Sequence, residues 1–359
     1  MKVAIVHDDI VQWGGAERIL LGLCEIYPEA SIFTSVYDYT NEELRKRFGN
    51  KRIITSFLQK IPGWRNLYKI LLPLYPLAFE SFNFDQFDLV ISHTTRFAKS
   101  IITKPETKHV CFCHTPPRFL WHFSDAINYG FGELLLTKLR LYDQISSRRV
   151  DYFLAGSKNA EKRIKKIYHQ DSKLIYPFID LDRFNSIESF DGGYFLVISR
   201  LNKYKRIDLA VKACLSLGSS LKIIGVGPQL DRLIDLGGVK GVRGVEFLGN
   251  LSDQMVINVL AGCKALIIAG IEDFGITSIE AQALGKPVIA YGYGGVLETV
   301  IEGKTGIFFY KQTVESLMSA IKRIDSVRIN GEDCKTNAKK FSKKLFFSNF
   351  KQAITSSIT

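Results

Sequence analysis

Glu272 and Glu280 are the two residues whose types and spacing most clearly suggest chemistry. They sit inside the segment 265–295, ALIIAGIEDFGITSIEAQALGKPVIAYGYGG. Its apolar start reads as a buried strand ending near Gly270. A short loop then holds Glu272 and Asp273, and Phe274-Gly275-Ile276-Thr277-Ser278 opens a helix carrying Glu280. One carboxylate therefore falls at the C-terminal edge of a sheet, with a helix N-terminus beside it and a second carboxylate on the first turns. Ligands of open α/β sheets bind at that edge, and the free N–H groups at Gly275–Thr277 with the helix dipole attract phosphate. Carboxylates repel phosphate, so these two are suited to accepting hydrogen bonds from hydroxyls. A molecule with phosphates in the middle and hydroxyls on both sides is a nucleotide sugar. The plain alternative is that both acids merely cap and solvate a helix. A second feature weighs against it: Ser199–Arg206 (SRLNKYKR) follows another strand and carries Arg200, Lys203, Lys205 and Arg206 to the equivalent edge. A planar Arg fork and a Lys point charge suit a diphosphate.

These loops need a sheet to hold them. Runs of Val, Ile, Leu and Phe predict strands at 2–7, 31–35, 89–92, 109–113 and 152–155, and again at 194–198, 221–225, 245–248, 265–269 and 288–291. They are continuous, not alternating, as in parallel strands covered by helices on both faces. The βαβα order predicts α/β architecture. Between Ile175 and Gly193 the periodicity lapses and Pro, Asp, Ser and Gly gather. The reading is an N-terminal Rossmann-like domain at 1–175, a linker at 176–192, a second such domain at 193–336, and a basic, aromatic C-terminal helix at 337–359.

At 359 residues and 46% hydrophobic, the chain is too long for one ordinary domain and too apolar for disorder. Its net charge of +12 attracts anions. The charge is spread over both halves and no nucleic-acid module is visible, which disfavours a nucleic-acid-binding protein. The six cysteines lack zinc-site spacing and lie in apolar runs, predicting buried free thiols in a reducing cytoplasm. The first residues lack the long apolar stretch of a signal peptide. The longest apolar run, Ile70 to Phe79, holds ten residues and two prolines, against about 20 needed to cross a bilayer. Three motif matches fail. Gly303-Lys304-Thr305 lacks the earlier glycine of a P-loop, Gly225-Val226-Gly227 lacks the third glycine of a dinucleotide fingerprint, and Asp180-Leu181-Asp182 stands in the linker and not after a nucleotide-binding strand.

The frame E-x-F-G-I-x-x-x-E-A…G-K-P-V-I-A resembles retaining GT-B glycosyltransferases of family 4. Gly14-Gly15-Ala16-Glu17-Arg18 resembles that family's acceptor-side loop, and Pro177…Asp180-Leu181-Asp182-Arg183-Phe184 its interdomain segment. Phe247–Leu251 resembles the base-facing turn, and Gly303–Gly306 a common later loop. The resemblance implies two Rossmann-like doubly wound domains facing a cleft, with the C-terminal helix crossing back to the first. It implies that Glu272 holds hydroxyls of the donor sugar and Glu280 the ribose. Arg200 and Lys205 would bind the diphosphate, aided by the backbone of Phe274, Gly275, Ile276 and Thr277. Leu251 and Asp253 would face the base, and Gly14 and Gly15 would let the backbone approach the donor. No metal or other cofactor is implied. Ser199 and Arg206 replace glycines usual in the family, which alters the local loop but not its charges.

The string Cys113-His114-Thr115-Pro116-Pro117-Arg118-Phe119-Leu120-Trp121 resembles a subgroup close to bacterial O-antigen mannosyltransferases. That likeness places His114 near the transferred sugar and makes Arg118 an acceptor-side candidate. His7, followed by Asp8 and Asp9, ends the first strand and is a further acceptor candidate. Lys51 to Phe79 sets Lys51, Arg52, Lys60, Arg65 and Lys69, with no acid, among Phe57, Ile61, Trp64, Leu67 and Tyr68. Such a mixture suits either an anionic membrane surface or an ordinary helix with a basic face, and the family likeness favours the membrane. The expected activity is transfer of a hexose, mannose from GDP-mannose, to a polyprenyl-diphosphate-linked saccharide at the inner face of the cytoplasmic membrane. A UDP-sugar donor, or a sugar-nucleotide epimerase or phosphorylase on the same fold, are the alternatives. A glycoside hydrolase fits less well, since a phosphate-directed helix has no use there.

Overall fold

The computed structural model describes residues 1–67, 70–121, 132–237 and 244–358. The chain forms two compact units, one of Met1–Pro177 with Phe346–Thr359, the other of Phe178–Leu345. The first division falls inside the stretch read as a linker and the second inside the last helix.

The first unit is built on a seven-stranded parallel sheet. Its strands are β1 (Val3–His7), β2 (Ser31–Thr34), β3 (Ile53–Thr55), β4 (Leu89–Thr94), β5 (Lys108–Cys113), β6 (Tyr152–Ala155) and β7 (Ser172–Leu174). Their order is β3-β2-β1-β4-β5-β6-β7. The second unit has six parallel strands: β8 (Tyr194–Ile198), β9 (Ser220–Ile224), β10 (Val245–Gly249), β11 (Cys263–Ile268), β12 (Val288–Tyr291) and β13 (Gly306–Phe309). Their order is β10-β9-β8-β11-β12-β13. In each sheet the order reverses once, between β1 and β4 and between β8 and β11. Loops diverge at such a reversal and leave a crevice beyond the strand ends.

Helices on both faces explain the unbroken apolar strands. In the first unit Val6, Val90, Ala78, Phe79 and Phe97 share one core layer, while Cys111, Phe153, Ile164 and Tyr168 fill another. In the second, Phe195, Val197, Ile223, Ala265, Ile267, Ile289 and Ile307 pack with the helices Ile207–Leu217 and Val314–Ser326. The expected strands are present. Three more, β3, β7 and β13, were not foreseen. All are only three or four residues long at or near sheet margins, and β3 and β7 are just half-buried, so no long apolar run marks them. The expected single helix from Asn337 is corrected to two: Gly331–Lys339 ends before Phe341, and Lys343–Ile358 begins anew. Phe346 and Phe350 of the latter pack against Phe112 in the first unit, with ring centres 5.9 and 6.0 Å away. All six cysteines are buried and free.

Candidate functional site

In the second unit the loops after β8 and β11 flank the order reversal. The β8 loop forms a short 3-10 turn, Lys203–Lys205, and Arg206 takes a left-handed φ of 51° before the helix Ile207–Leu217 starts. The loop is held down by glycines that follow the neighbouring strand β9. A Cβ on Gly225 would fall 1.9 Å from the Ser199 carbonyl oxygen, and one on Gly227 2.8 Å from the Leu201 nitrogen. The glycines rejected as a dinucleotide fingerprint therefore serve close backbone packing against the basic loop.

Lys205 Nζ lies 2.5 Å from Glu272 Oε1, joining the two loops across the reversal. Both side chains are mostly buried, at 13% and 20% exposure. Glu272 is fixed through its backbone: its carbonyl accepts from Gly295 N at 2.8 Å, and a Cβ on Gly294 would crowd that carbonyl at 2.6 Å. Gly275, at φ 92°, turns the chain into the helix Ile276–Ala283. Below that helix start lies a buried polar network. Ser278 Oγ donates to the Gly275 carbonyl at 2.6 Å and sits 2.7 Å from Thr299 Oγ1. Gln282 Nε2 and Asn337 Nδ2 both donate to the Thr299 carbonyl, at 2.8 and 2.9 Å. Satisfied buried polar groups of this kind fix one geometry. Phe274 is buried edge-on against Phe341.

Glu280 projects from the same helix and meets a residue given no individual role above. Arg183 NH1 lies 3.7 Å from Glu280 Oε1, and its NH2 lies 3.5 Å from Asp253 Oδ2. Arg183 thus links the carboxylates expected at the ribose and the base. Asp253 begins the helix Asp253–Ala261, capped by Ser252, and Leu251 just before it is half-buried. Arg200 is exposed, and among the described residues it makes no ion pair, unlike Lys205. Gly303-Lys304-Thr305-Gly306 forms the turn into β13. There Thr305 Oγ1 accepts from Ile301 N at 2.8 Å, an internal structural role.

In the first unit His7, His93 and His114 converge at the ends of β1, β4 and β5. The parallel register sets His7 beside His93, and His114 follows β5 directly. His93 Nδ1 lies 3.0 Å from His7 Nδ1, and His93 Nε2 2.5 Å from His114 Nε2. Glu17, on the helix Gly15–Ile26 that follows Gly14, places Oε1 3.9 Å from His7 Nε2. Burial lowers the His7 pKa, but the facing Glu17 carboxylate and the charges of Asp8 and Asp9 outweigh it, so the net direction is up. Burial, with the nearby His114 and His7, holds His93 well below the ordinary imidazole value. Asp8 accepts from Phe97 N and Ala98 N at 2.9 and 2.8 Å, tying β1 to the loop after β4. Arg96 pairs with Asp9. Arg118 begins a short helix, Arg118–Trp121, and is half-buried. His93 escaped notice because the expected strand stopped at Ser92. The signal available was a His ending each of two runs, VAIVH and LVISH.

In the 51–79 segment, Trp64 and Tyr75 belong to the core, so Trp64 is not an interfacial residue. Arg65 Nε pairs with Asp38 Oδ1 at 3.0 Å, and this acid lies outside the segment. Phe57, Leu67, Ile70, Leu74 and Leu77 are exposed. Tyr68 and Lys69 lie outside the described residues. Among the described residues no helix is long and apolar enough to cross a membrane.

Two doubly wound parallel-sheet units are the architecture of GT-B glycosyltransferases, and solved members of that class superpose on the whole chain. Sucrose-phosphate synthase from Thermosynechococcus elongatus does so with a TM-score of 0.75 at 17% identity, covering 99% of each chain. The lipopolysaccharide outer core galactosyltransferase WaaB gives 0.69 at 18% identity, again over 99% of each. In sequence, residues 179–341 match the family model "Glycosyl transferases group 1". The alpha-1,3/1,6-mannosyltransferase ALG2 of Dictyostelium discoideum is 27% identical, over 97% of this chain and 96% of its own. The chain is a glycosyltransferase, and the part of its second unit that matches is similar to the group 1 glycosyl transferases.

Proposed function

We propose that the chain is a retaining, metal-independent mannosyltransferase that moves mannose from GDP-mannose to a lipid-linked saccharide in cell-surface polysaccharide assembly. The observation that carries the reading is the Lys205–Glu272 pair at the sheet reversal, beside the turn at Gly275 and in the same unit as Glu280. An ammonium has three donors, so Lys205 directed at Glu272 keeps others for a diphosphate. With Arg200 and the N–H groups of Gly275, Ile276 and Thr277, it would stabilise the charge that develops on the departing nucleotide. Glu272 accepts from sugar hydroxyls, and Glu280 from the ribose. Gly14, Gly15 and His114 serve the sugar, His7 and Arg118 the acceptor. Leu251 and Asp253 face the base. The mannosyl choice is supported by the ALG2 relative, which is named for mannosyl transfer and aligns along nearly its full length.

The exposed side chains of Phe57, Leu67, Ile70, Leu74 and Leu77, with Lys60 close in sequence and also exposed, support peripheral contact with an anionic cytoplasmic membrane face. Thermal-shift measurements with GDP-, UDP- and ADP-sugars test the donor. A ligand at 100 times its dissociation constant adds about 2.7 kcal/mol. GDP-mannose is expected to give the largest rise, and preference for a UDP-sugar overturns that choice. Incubation with GDP-[14C]mannose, with and without a polyprenyl-diphosphate-linked saccharide, tests the reaction. Label must enter the lipid fraction only when acceptor is present, whereas an epimerase converts the donor alone.

A further inference from the structure

We infer that a directed hydrogen-bond chain from His7 through His93, with the Glu17 carboxylate facing its outer end, holds His114 as a single neutral tautomer, its Nε2 accepting and its Nδ1 bearing the hydrogen. The chain itself is read within the first unit. Only its consequence for transfer rests on the proposed place of His114 at the sugar.

The direction follows from one backbone carbonyl. His7 Nδ1 lies 3.1 Å from the His93 carbonyl oxygen. A carbonyl only accepts, so His7 Nδ1 carries a hydrogen. His93 Nδ1 lies 3.0 Å from that same nitrogen and must therefore present its lone pair. A neutral imidazole has one N–H, which for His93 is then on Nε2. That hydrogen points along the 2.5 Å contact to His114 Nε2, which must accept. The remaining hydrogen of neutral His114 is on Nδ1.

The surroundings agree at both ends. The Glu17 carboxylate, 3.9 Å from His7 Nε2, favours a hydrogen there too, and so favours the protonated His7 that donates from both nitrogens. The other charged groups around His7 are Asp8 and Asp9 on its own loop and Arg96, which pairs with Asp9 from the loop after β4. His93 is fully buried, and its ring lies nearly parallel to those of His7 and Phe112, a setting that keeps it uncharged as the relay requires. At the far end, the His114 Nδ1 edge lies along Gly156. A Cβ there would come within 3.2 Å of Nδ1.

The consequence is chemical. With Nε2 accepting from His93 and Nδ1 bearing the hydrogen, His114 keeps no lone pair with which to act as a base. Glu17, His7 and His93 act as positioning residues through it. Glu17 would thereby act on transfer only through the histidines.

The test uses the full chain labelled with 15N-histidine, with two-bond proton–nitrogen correlations read near pH 7.5 and assigned with single His variants. His114 is expected with a pyridine-type Nε2 and a pyrrole-type Nδ1, and His93 with the reverse. Glu17→Gln is expected to lower the pH at which His7 titrates. His93→Gln and His93→Phe should release His114 into a mixture of tautomers and cut kcat about tenfold, with donor KM changed less than twofold. A His114 bearing its hydrogen on Nε2, or one unchanged by both His93 variants, overturns the chain. Full turnover by His114→Ala would instead remove its place at the sugar while leaving the tautomer result standing, so the two failures are separable.

Discussion

Gly270 and Lys205 are in backbone contact: a Cβ on Gly270 would fall 2.6 Å from the Lys205 Cα and 2.7 Å from the Tyr204 carbonyl oxygen. Both obstacles are backbone atoms, so no side-chain rotation relieves them. The end of β11 is thus pressed directly against the loop that presents Lys205. Gly270→Ala is expected to push that loop away, lowering kcat/KM at least tenfold and costing about 1–3 kcal/mol of stability through overpacking. Donor titration beside a denaturant melt checks it. A variant with wild-type kinetics would mean that the loop tolerates the shift and that the contact does not govern Lys205.

Lys205→Ala and Glu280→Ala address the two ends of the proposed donor. Removing one contact to developing charge typically costs about 3–4 kcal/mol in the transition state. Turnover should therefore fall roughly 100-fold or more for Lys205→Ala. Glu280→Ala is expected to reach a similar loss, because the ribose anchor orients the diphosphate. Circular dichroism and melting should stay near wild type, since both side chains lie at the rim of the sheet and not in its core. Near-normal turnover in both variants would sink the assignment.

The sheet architecture was legible in the sequence because parallel strands covered on both faces must be apolar throughout, as FLVI and ALIIA are. Glu272 and Lys205 were legible for the same reason: each follows such a run within a few residues. What pairs them was not, since strand order, β8 next to β11, is a non-local property. The histidine chain shows the limit well. His7 and His114 were legible singly as strand-end candidates, but only the β1-β4-β5 adjacency brings them together with His93. Arg183 lay in a segment read as a linker, where the lapse of periodicity hid a residue with two carboxylate partners.

Acid should weaken the first unit before its carboxylates titrate. Burial pushes His109 down to about 4 from the ordinary 6.5. The Arg149 carbonyl, 3.3 Å from Nδ1, favours the proton but is outweighed by burial, and Ser92 Oγ lies 2.8 Å from Nε2. Because the unfolded chain takes up the proton near 6.5 and the folded one does not, the stabilisation is complete above 6.5 and is lost as pH falls toward 4. The shift corresponds to about 3 kcal/mol at the acid end of that window. Buried His93 acts in the same direction, whereas His7, shifted upward, favours the folded state below its own raised value. Melting temperatures of wild type and His109→Gln between pH 7.5 and 4.5 decide the point. The variant should show a shallower acid decline. Parallel curves would mean that His109 does not contribute.

Arg183 supplies the last expectation. Its guanidinium faces Asp253 Oδ2 at 3.5 Å and Glu280 Oε1 at 3.7 Å, distances of ion pairing more than of good hydrogen bonds. Each of these side chains is 13–25% exposed, so solvent screens the pairs only in part. A single planar cation spanning two acids on different helices sets their separation, which a lysine, as one point charge, does not reproduce. Without it, Glu280 and Asp253 would repel each other and lose the orientation suited to a ribose and base. Arg183→Ala and Arg183→Lys are therefore both expected to raise donor KM about tenfold, with kcat at saturating donor falling less than threefold. That split separates loss of donor binding from loss of transition-state stabilisation. If Arg183→Lys restored KM fully, charge alone would suffice and the bridging geometry would be irrelevant. If kcat collapsed while KM held, Arg183 would act at the leaving diphosphate instead of through Glu280.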